Sequence, residues 1–180
     1  MHNEKFQLKF IDIMVAVVLG LGFQWWPEIK EPWQYIAFFF AYLNLIDYWI
    51  DYNPTAKKYA LKLEIDVVVH TLIIFGMFLL VFATQKSLTY FLFSFAFYRI
   101  ADIIWLYCIK WKHKTINEDS IFINTWLLSD VVESAAAITL GGIALSQPSS
   151  GLRLLSLFIL IRVFTRSISS LRYKKIFYAL

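Results

Sequence analysis

The segment from Leu152 to Tyr173, LRLLSLFILIRVFTRSISSLRY, is apolar enough to cross a bilayer, yet it carries arginines well inside it. A helix of about 20 residues, rising about 1.5 Å per residue, spans the hydrocarbon core. Arg162 and Arg166 are four residues apart and therefore share one helix face. Because a guanidinium keeps its charge, each arginine needs a carboxylate, water or lipid phosphate within reach. We therefore expect the rest of the chain to supply partners for that face.

The apolar character extends over the whole chain of 180 residues. Hydrophobic residues make up 59% of it and charged residues 17%, against about 45–50% and about 25% in soluble domains. These proportions predict an integral membrane protein with a single transmembrane domain over residues 1–180. The net charge of +4 does not indicate nucleic-acid binding, because most basic residues cluster beside the ends of apolar runs.

Six apolar runs predict an all-α fold, a polytopic bundle of six transmembrane helices. Tryptophan and tyrosine residues lie near the ends of these runs, as in the aromatic belts of membrane proteins. The four prolines fall between the runs and predict breaks there: Pro27, Pro32, Pro54 and Pro148. The predicted spans are Phe10–Trp26, Trp33–Tyr52, Leu63–Ala83, Leu88–Ile109, Ile121–Leu145 and Leu152–Leu171.

Lysine and arginine are distributed unevenly between the two sides of the predicted bundle. The two longer links, Asn53–Lys62 and Lys110–Ser120, are basic, and so are both ends of the chain. The opposite loops hold only Lys30 and Lys86, with Arg153 just inside the last span. Basic residues favour the cytoplasmic side. The pattern therefore predicts a multi-pass protein of the cell membrane with both termini in the cytoplasm.

Every predicted span brings an ionisable residue to its cytoplasmic half or its midplane. Such charges cost several kcal/mol each unless they meet, so we expect one polar network facing the bundle interior. Asp51 is nearer to water and is expected at the membrane interface. The predicted network consists of Asp12, Asp47, Asp66, His70, Arg99, Asp102, Asp130, Glu133, Arg162 and Arg166.

Sequence spacing suggests how the members of this network pair. Asp130 and Glu133 share a helix face and can hold Arg162 or Arg166. Two other pairs share a face in the same way: Arg99 with Asp102, and Asp66 with His70. Two roles remain open. The network either only fixes helix register and packing, or it lies on a path for ions or protons.

Metal binding, cofactor binding and voltage sensing are disfavoured. His70 has no second histidine within the predicted spans, so the sequence predicts neither a metal site nor a cofactor. Arginines of a voltage-sensing helix move several charges through the membrane field. Arg153, Arg162 and Arg166 are nine and four residues apart rather than regularly spaced, which argues against such a helix.

The first predicted span begins Phe10-Ile11-Asp12-Ile13-Met14-Val15-Ala16-Val17-Val18-Leu19. It resembles the first helix of the small six-helix cation channels of prokaryotes whose eukaryotic relatives are lysosomal potassium channels. That helix carries an Arg-x3-Phe-Ser-Asp signature followed by an apolar run with a small residue. Phe10 and Asp12 match the Phe and Asp, and Ala16 matches the small residue. Ile11 stands where the family has Ser, and Phe6 where it has Arg.

This resemblance implies a homo-oligomer, a tetramer in the family, with the first helix lining the pore. Val17 would occupy the first constriction, and helical spacing adds Leu21 and Gln24 to the same face. A ring of aliphatic side chains can gate a pore by dewetting. The same residues could instead merely pack against neighbouring helices or lipid.

The working hypothesis is therefore passive permeation of a cation, potassium or proton, through a tetramer or dimer in the lipid bilayer. No phosphate-binding loop or common catalytic motif is present, which favours a protein without catalytic function. One alternative is a lipid-head-group enzyme holding a divalent ion at Asp47 and Asp51, with Glu64 and Asp66 as further ligands. Another is an effector subunit that binds a second membrane protein.

Overall fold

The computed structural model describes residues 2–59, 64–113 and 118–177. Over this part the chain is all-helical and contains no strand. A 3₁₀ helix, Phe23–Glu28, follows the first α-helix, and a 3₁₀ turn, Pro148–Ser150, precedes the sixth. The α-helices are α1 (His2–Gly22), α2 (Pro32–Lys58), α3 (Glu64–Ala83), α4 (Leu88–Lys112), α5 (Glu118–Ser146) and α6 (Gly151–Phe177).

The predicted all-α class is confirmed, and each predicted span overlaps one of the six helices. Three stretches in the described part are long and apolar enough to cross a membrane, namely Leu88–Lys112, Asp119–Ser146 and Gly151–Arg172. A shorter apolar stretch, Val67–Ala83, covers most of α3. Length and composition thus make α4, α5 and α6 candidate membrane spans.

The predicted link at Asn53 is wrong, because α2 continues through Pro54. A proline inside a helix removes one backbone hydrogen bond and usually bends or ends it. Here the helix is supported on the far side of the proline. The Thr55 hydroxyl donates to the Asp51 carbonyl at 2.8 Å, and the Tyr59 amide donates to the Thr55 carbonyl at 2.8 Å.

Helix α4 lies between α3 and α5 and carries much of the core. Its aromatic residues Phe91, Phe95, Tyr98 and Trp105 are at most 1% exposed. Helix α6 packs against α5 and α2 and is far less buried, and α1 packs against α2 and α3. A buried face of aromatic rings therefore holds α3, α4 and α5 together, and α6 closes the bundle from one side.

Helices α3 and α4 approach closely at Gly76. A Cβ atom at this glycine would lie 2.9 Å from the backbone Cα of Tyr98, which cannot move without shifting α4. The glycine is thus required by the helix crossing. By contrast, a Cβ at Gly20 or Gly142 would meet nothing within 4 Å.

We expect Gly76→Ala to destabilise the folded protein by about 1–3 kcal/mol, because the added methyl group overlaps the α4 backbone. The measurement is thermal unfolding of the detergent-solubilised protein. Gly142→Ala is the matched control, since it adds the same methyl group to open space and alanine favours a helix. Equal effects of the two substitutions would contradict the close crossing at Gly76.

Candidate functional site: a buried ion-pair network

Four helices bring charged side chains to one place in the interior of the bundle. Helix α2 contributes two carboxyl groups, α4 one arginine and one carboxyl group, α5 two carboxyl groups, and α6 two arginines. We call these eight residues the ion-pair network. Its members are Asp47, Asp51, Arg99, Asp102, Asp130, Glu133, Arg162 and Arg166.

Arg99 of α4 lies at the centre of the network and is 2% exposed. Its Nη1 is 2.9 Å from Oδ1 of Asp130 and 3.7 Å from Oδ2 of Asp102, and its Nε is 3.1 Å from Oε2 of Glu133. Its Nη2 donates to Oδ1 of Asn44 at 3.2 Å. Each nitrogen of this guanidinium therefore faces an oxygen, which is the condition for burying a charge that cannot be neutralised.

Arg162 of α6 uses a similar set of partners. Its Nη1 donates to Oε1 of Glu133 at 3.0 Å and its Nη2 to Oδ2 of Asp47 at 2.8 Å. Its Nε donates to the same Asn44 oxygen at 3.3 Å, and the Thr165 hydroxyl adds a 2.6 Å bond to Glu133. Glu133 and Asn44 are thus shared between Arg99 and Arg162, and they connect α4 to α6.

Arg166, one turn further along α6, forms the more open end of the network. Its Nη2 lies 2.7 Å from Oδ1 of Asp47 and 3.1 Å from Oδ1 of Asp51, and its Nη1 donates to Oδ2 of Asp51. The side chains of Arg166 and Asp47 are 27% and 31% exposed, whereas that of Glu133 is fully buried. The network therefore runs from a partly accessible end to a dry end.

Aromatic donors fix the carboxyl group at the dry end. The Tyr48 hydroxyl donates to Oδ1 of Asp102 at 3.3 Å, and the Trp126 indole donates to Oδ2 at 2.9 Å. These bonds orient Asp102 toward Arg99. A cavity of about 20 Å³ lies among the network residues, which is room for roughly one water molecule. The space between these residues therefore admits no hydrated ion. A separate cavity of about 420 Å³ borders the network at Asn44, Asp47, Arg162 and Arg166.

Three phenylalanine rings close off one side of the network. The ring centroids of Phe40 and Phe95 are 6.0 Å apart, those of Phe40 and Phe158 5.8 Å, and those of Phe95 and Phe158 4.8 Å. We call this group the phenylalanine triad. Phe40, Phe95 and Phe158 lie four positions before Asn44, Arg99 and Arg162, respectively. Both arginines donate to the Asn44 side chain. The triad therefore stacks as one apolar layer next to the polar layer.

The structure brings together seven residues of the predicted network and places Asp12 and His70 apart from them. Arg162 meets Glu133 as the sequence predicts, while Arg166 takes carboxylates of α2 instead of α5. The seven that meet are Asp47, Arg99, Asp102, Asp130, Glu133, Arg162 and Arg166.

Two of the remaining three residues lie elsewhere. Asp12 accepts a 2.8 Å hydrogen bond from the Trp49 indole on the outside of the bundle. The His70 ring contacts Tyr52 and Trp105, with centroids 5.2 and 5.3 Å apart. The side chain of Asp66, and with it the predicted Asp66–His70 pair, lies outside the part of the chain that the structure describes.

Sequence reasoning misplaced Asp51 and missed the uncharged partners. Asp51 is 6% exposed and belongs to the network instead of the interface. A signal for it existed, because Asn44, Asp47 and Asp51 follow one another at three and four residues and so share a face of α2. The neutral donors Tyr48 and Trp126 carry no such signal.

The face of α1 predicted to line a pore points away from the bundle. Val17 and Leu21 are 42% and 38% exposed, and Gln24 in the following 3₁₀ helix is exposed as well. The opposite face, with Val15 and Val18, is buried. One half of α1 is thus unpartnered within a single chain.

Within the described residues no group of three or more histidine, cysteine, aspartate or glutamate side chains could hold a metal ion. The carboxylates of Asp47 and Asp51, which the enzyme hypothesis assigned to a divalent ion, contact arginines instead.

Comparisons with protein-family models, with curated proteins and with solved structures found no match to this chain.

We expect Arg162→Gln to destabilise the protein by about 3–5 kcal/mol, because it removes the cation between the α5 and α2 carboxylates. Thermal and denaturant unfolding in detergent measure the effect. Arg153→Gln, on the exposed surface of the same helix, is the control and is expected to change little. Comparable losses in both variants would show that charge on α6, and not the network, determines stability.

Proposed function

We propose that this protein is a six-span protein of the cell membrane, with both termini cytoplasmic, that lets cations, potassium or protons, cross passively. In this proposal the functional unit is a homo-oligomer, a tetramer or dimer, whose path is lined by α1. Inorganic cations and the lipid bilayer are its partners. The uneven placement of lysine and arginine supports the orientation.

The observation that carries the proposal is the composition of the outward face of α1. Asp12, Ala16 and Gly20 are exposed there at four-residue intervals, beside the exposed Val17 and Leu21. A carboxylate facing hydrocarbon is costly, whereas one facing a water-filled path is not. Small residues next to it let a second helix come close. Such a face suits contact with further copies of the chain around a path.

Permeation between chains is favoured over permeation through one chain. The ion-pair network leaves space for roughly one water molecule, and the phenylalanine triad covers it with packed rings. The space between these packed groups does not admit a hydrated cation. In this proposal the network has a structural role, because it fixes the register of the helices that support α1.

The chemistry of the α1 face suits a gated path for cations. Asp12 would attract cations at the cytoplasmic end, and Gln24 would offer a polar group at the other end. Between them, rings of Val17 and Leu21 would form a constriction that dewets when narrow. The similarity of this helix to the first helix of the prokaryotic and lysosomal channel family agrees with this assignment.

The test is ion flux into liposomes that contain the purified protein, with potassium, sodium and proton gradients compared side by side. We expect Val17→Ser to raise the flux several-fold, because a hydroxyl ring keeps the constriction wet. Val131→Ser on α5 is the matched control, since Val131 is 44% exposed and Val17 42%. It should leave the flux unchanged. Absence of flux under every gradient and voltage would refute the proposal, and so would equal changes in both variants.

A further inference from the structure

The carboxyl groups of Asp102 and Asp130 lie together at the dry end of the network. They are 0% and 1% exposed. Both contact the same nitrogen, Nη1 of Arg99, at 3.7 and 2.9 Å, and the two side chains are within hydrogen-bonding reach of each other. Two ionised carboxylates cannot hydrogen-bond to each other, because both are acceptors only. A direct hydrogen bond between them requires a hydrogen atom on one of the two groups.

The hydrogen bonds of the two carboxyl groups indicate which oxygen lacks a hydrogen. Both oxygens of Asp102 accept from aromatic donors, Tyr48 and Trp126. Oδ1 of Asp130 meets Arg99, but its Oδ2 is buried and receives no hydrogen bond from any residue that the structure describes. Oε2 of Glu133 receives none either, but it lies 3.1 Å from Nε of Arg99. A buried carboxylate oxygen without a donor is costly. A hydrogen on the Asp130 carboxyl group turns its Oδ2 from an unsatisfied acceptor into a donor.

The charges of the network also indicate that a carboxyl group is protonated. Three guanidiniums face five carboxyl groups in mutual contact, which leaves a formal charge of −2 if all are ionised. Net charge in a nearly dry interior is unfavourable. The carboxylates at the open end are partly exposed, so the surplus there is tolerated more easily than at Asp102 and Asp130.

We infer that one proton is held between the carboxyl groups of Asp102 and Asp130, so that the network contains a buried proton-binding site. The proton forms an O–H bond to one carboxyl group, which then donates to the other. Arg99 balances the single remaining negative charge of the pair, while Glu133 is balanced by Arg162. This inference does not depend on the proposed channel.

The groups that surround the pair come from each neighbouring helix. Helix α2 supplies Tyr48, and α4 supplies Arg99. Helix α5 supplies Trp126 and Glu133, and Glu133 in turn contacts Arg162 of α6. Among the described side chains of α3, His70 lies on this side, and its ring contacts those of Tyr52 and Trp105. On α1 the corresponding group is Asp12, bonded to Trp49. Arg99 is the one cation among these that contacts the pair.

The test is infrared spectroscopy of the purified protein at neutral pH, where a protonated carboxyl group gives a C=O band that ionised carboxylates lack. We expect such a band in the wild type, with a shift on exchange into D₂O. Asp102→Asn and Asp130→Asn should each abolish it. Only one carboxylate of the pair then remains, and it stays ionised because Arg99 balances its charge. Asp47→Asn is the control and should retain the band, since Asp47 lies between Arg162 and Arg166.

Wild-type protein with ¹³C-labelled aspartate carboxyl groups keeps the inference testable if a variant fails to fold. The band must then move to lower frequency, whereas labelled glutamate must leave it in place. A wild type without the band, a band that responds to glutamate labelling, or a band that persists in folded Asp130→Asn protein would each overturn the inference. Flux measurements play no part in this outcome.

Discussion

A single carboxylate, that of Glu133, joins the buried Arg99 to the partly buried Arg162, and the arrangement of the bundle depends on it. Arg99 of α4 and Arg162 of α6 lie 3.1 and 3.0 Å from its two oxygens. Because a guanidinium cannot lose its charge, neither arginine can be placed in an apolar interior without such a partner. The position of Glu133 on α5 therefore sets how α4 and α6 align with respect to α5.

The phenylalanine triad, which lies beside the network, restricts the helix register from the apolar side. Phe40, Phe95 and Phe158 stand one helical turn from Asn44, Arg99 and Arg162, on helices that run in the same direction. Sliding any one of these helices by one turn would bring a ring against a guanidinium and a charge against a ring. Polar and aromatic layers thus specify one register together, and an apolar interface alone would permit several.

The fold class and most of the polar network follow from the sequence, because both depend on local rules. Apolar run lengths give the helices, and the cost of burying charge predicts that Glu133 and Arg162 meet. Other features depend on tertiary contacts that spacing does not encode. The α3–α4 crossing at Gly76 needs the position of Tyr98, and the helical state of Pro54 needs the hydrogen bonds around it. The assignment of Arg166 to Asp51 required knowing that α2 and not α5 lies beside that turn of α6.

The weak packing of α6 has a consequence for biogenesis. This helix leaves the ribosome after the other five described helices, and in the proposed membrane protein its two inner arginines would enter the bilayer at a cost unless they met carboxylates. Their partners are already made: Asp47 lies 115 residues earlier in the chain and Glu133 29 residues earlier. Because synthesis is vectorial, α6 would then meet these carboxylates as soon as it is made. Its insertion would be guided by complementary charge as well as by hydrophobicity.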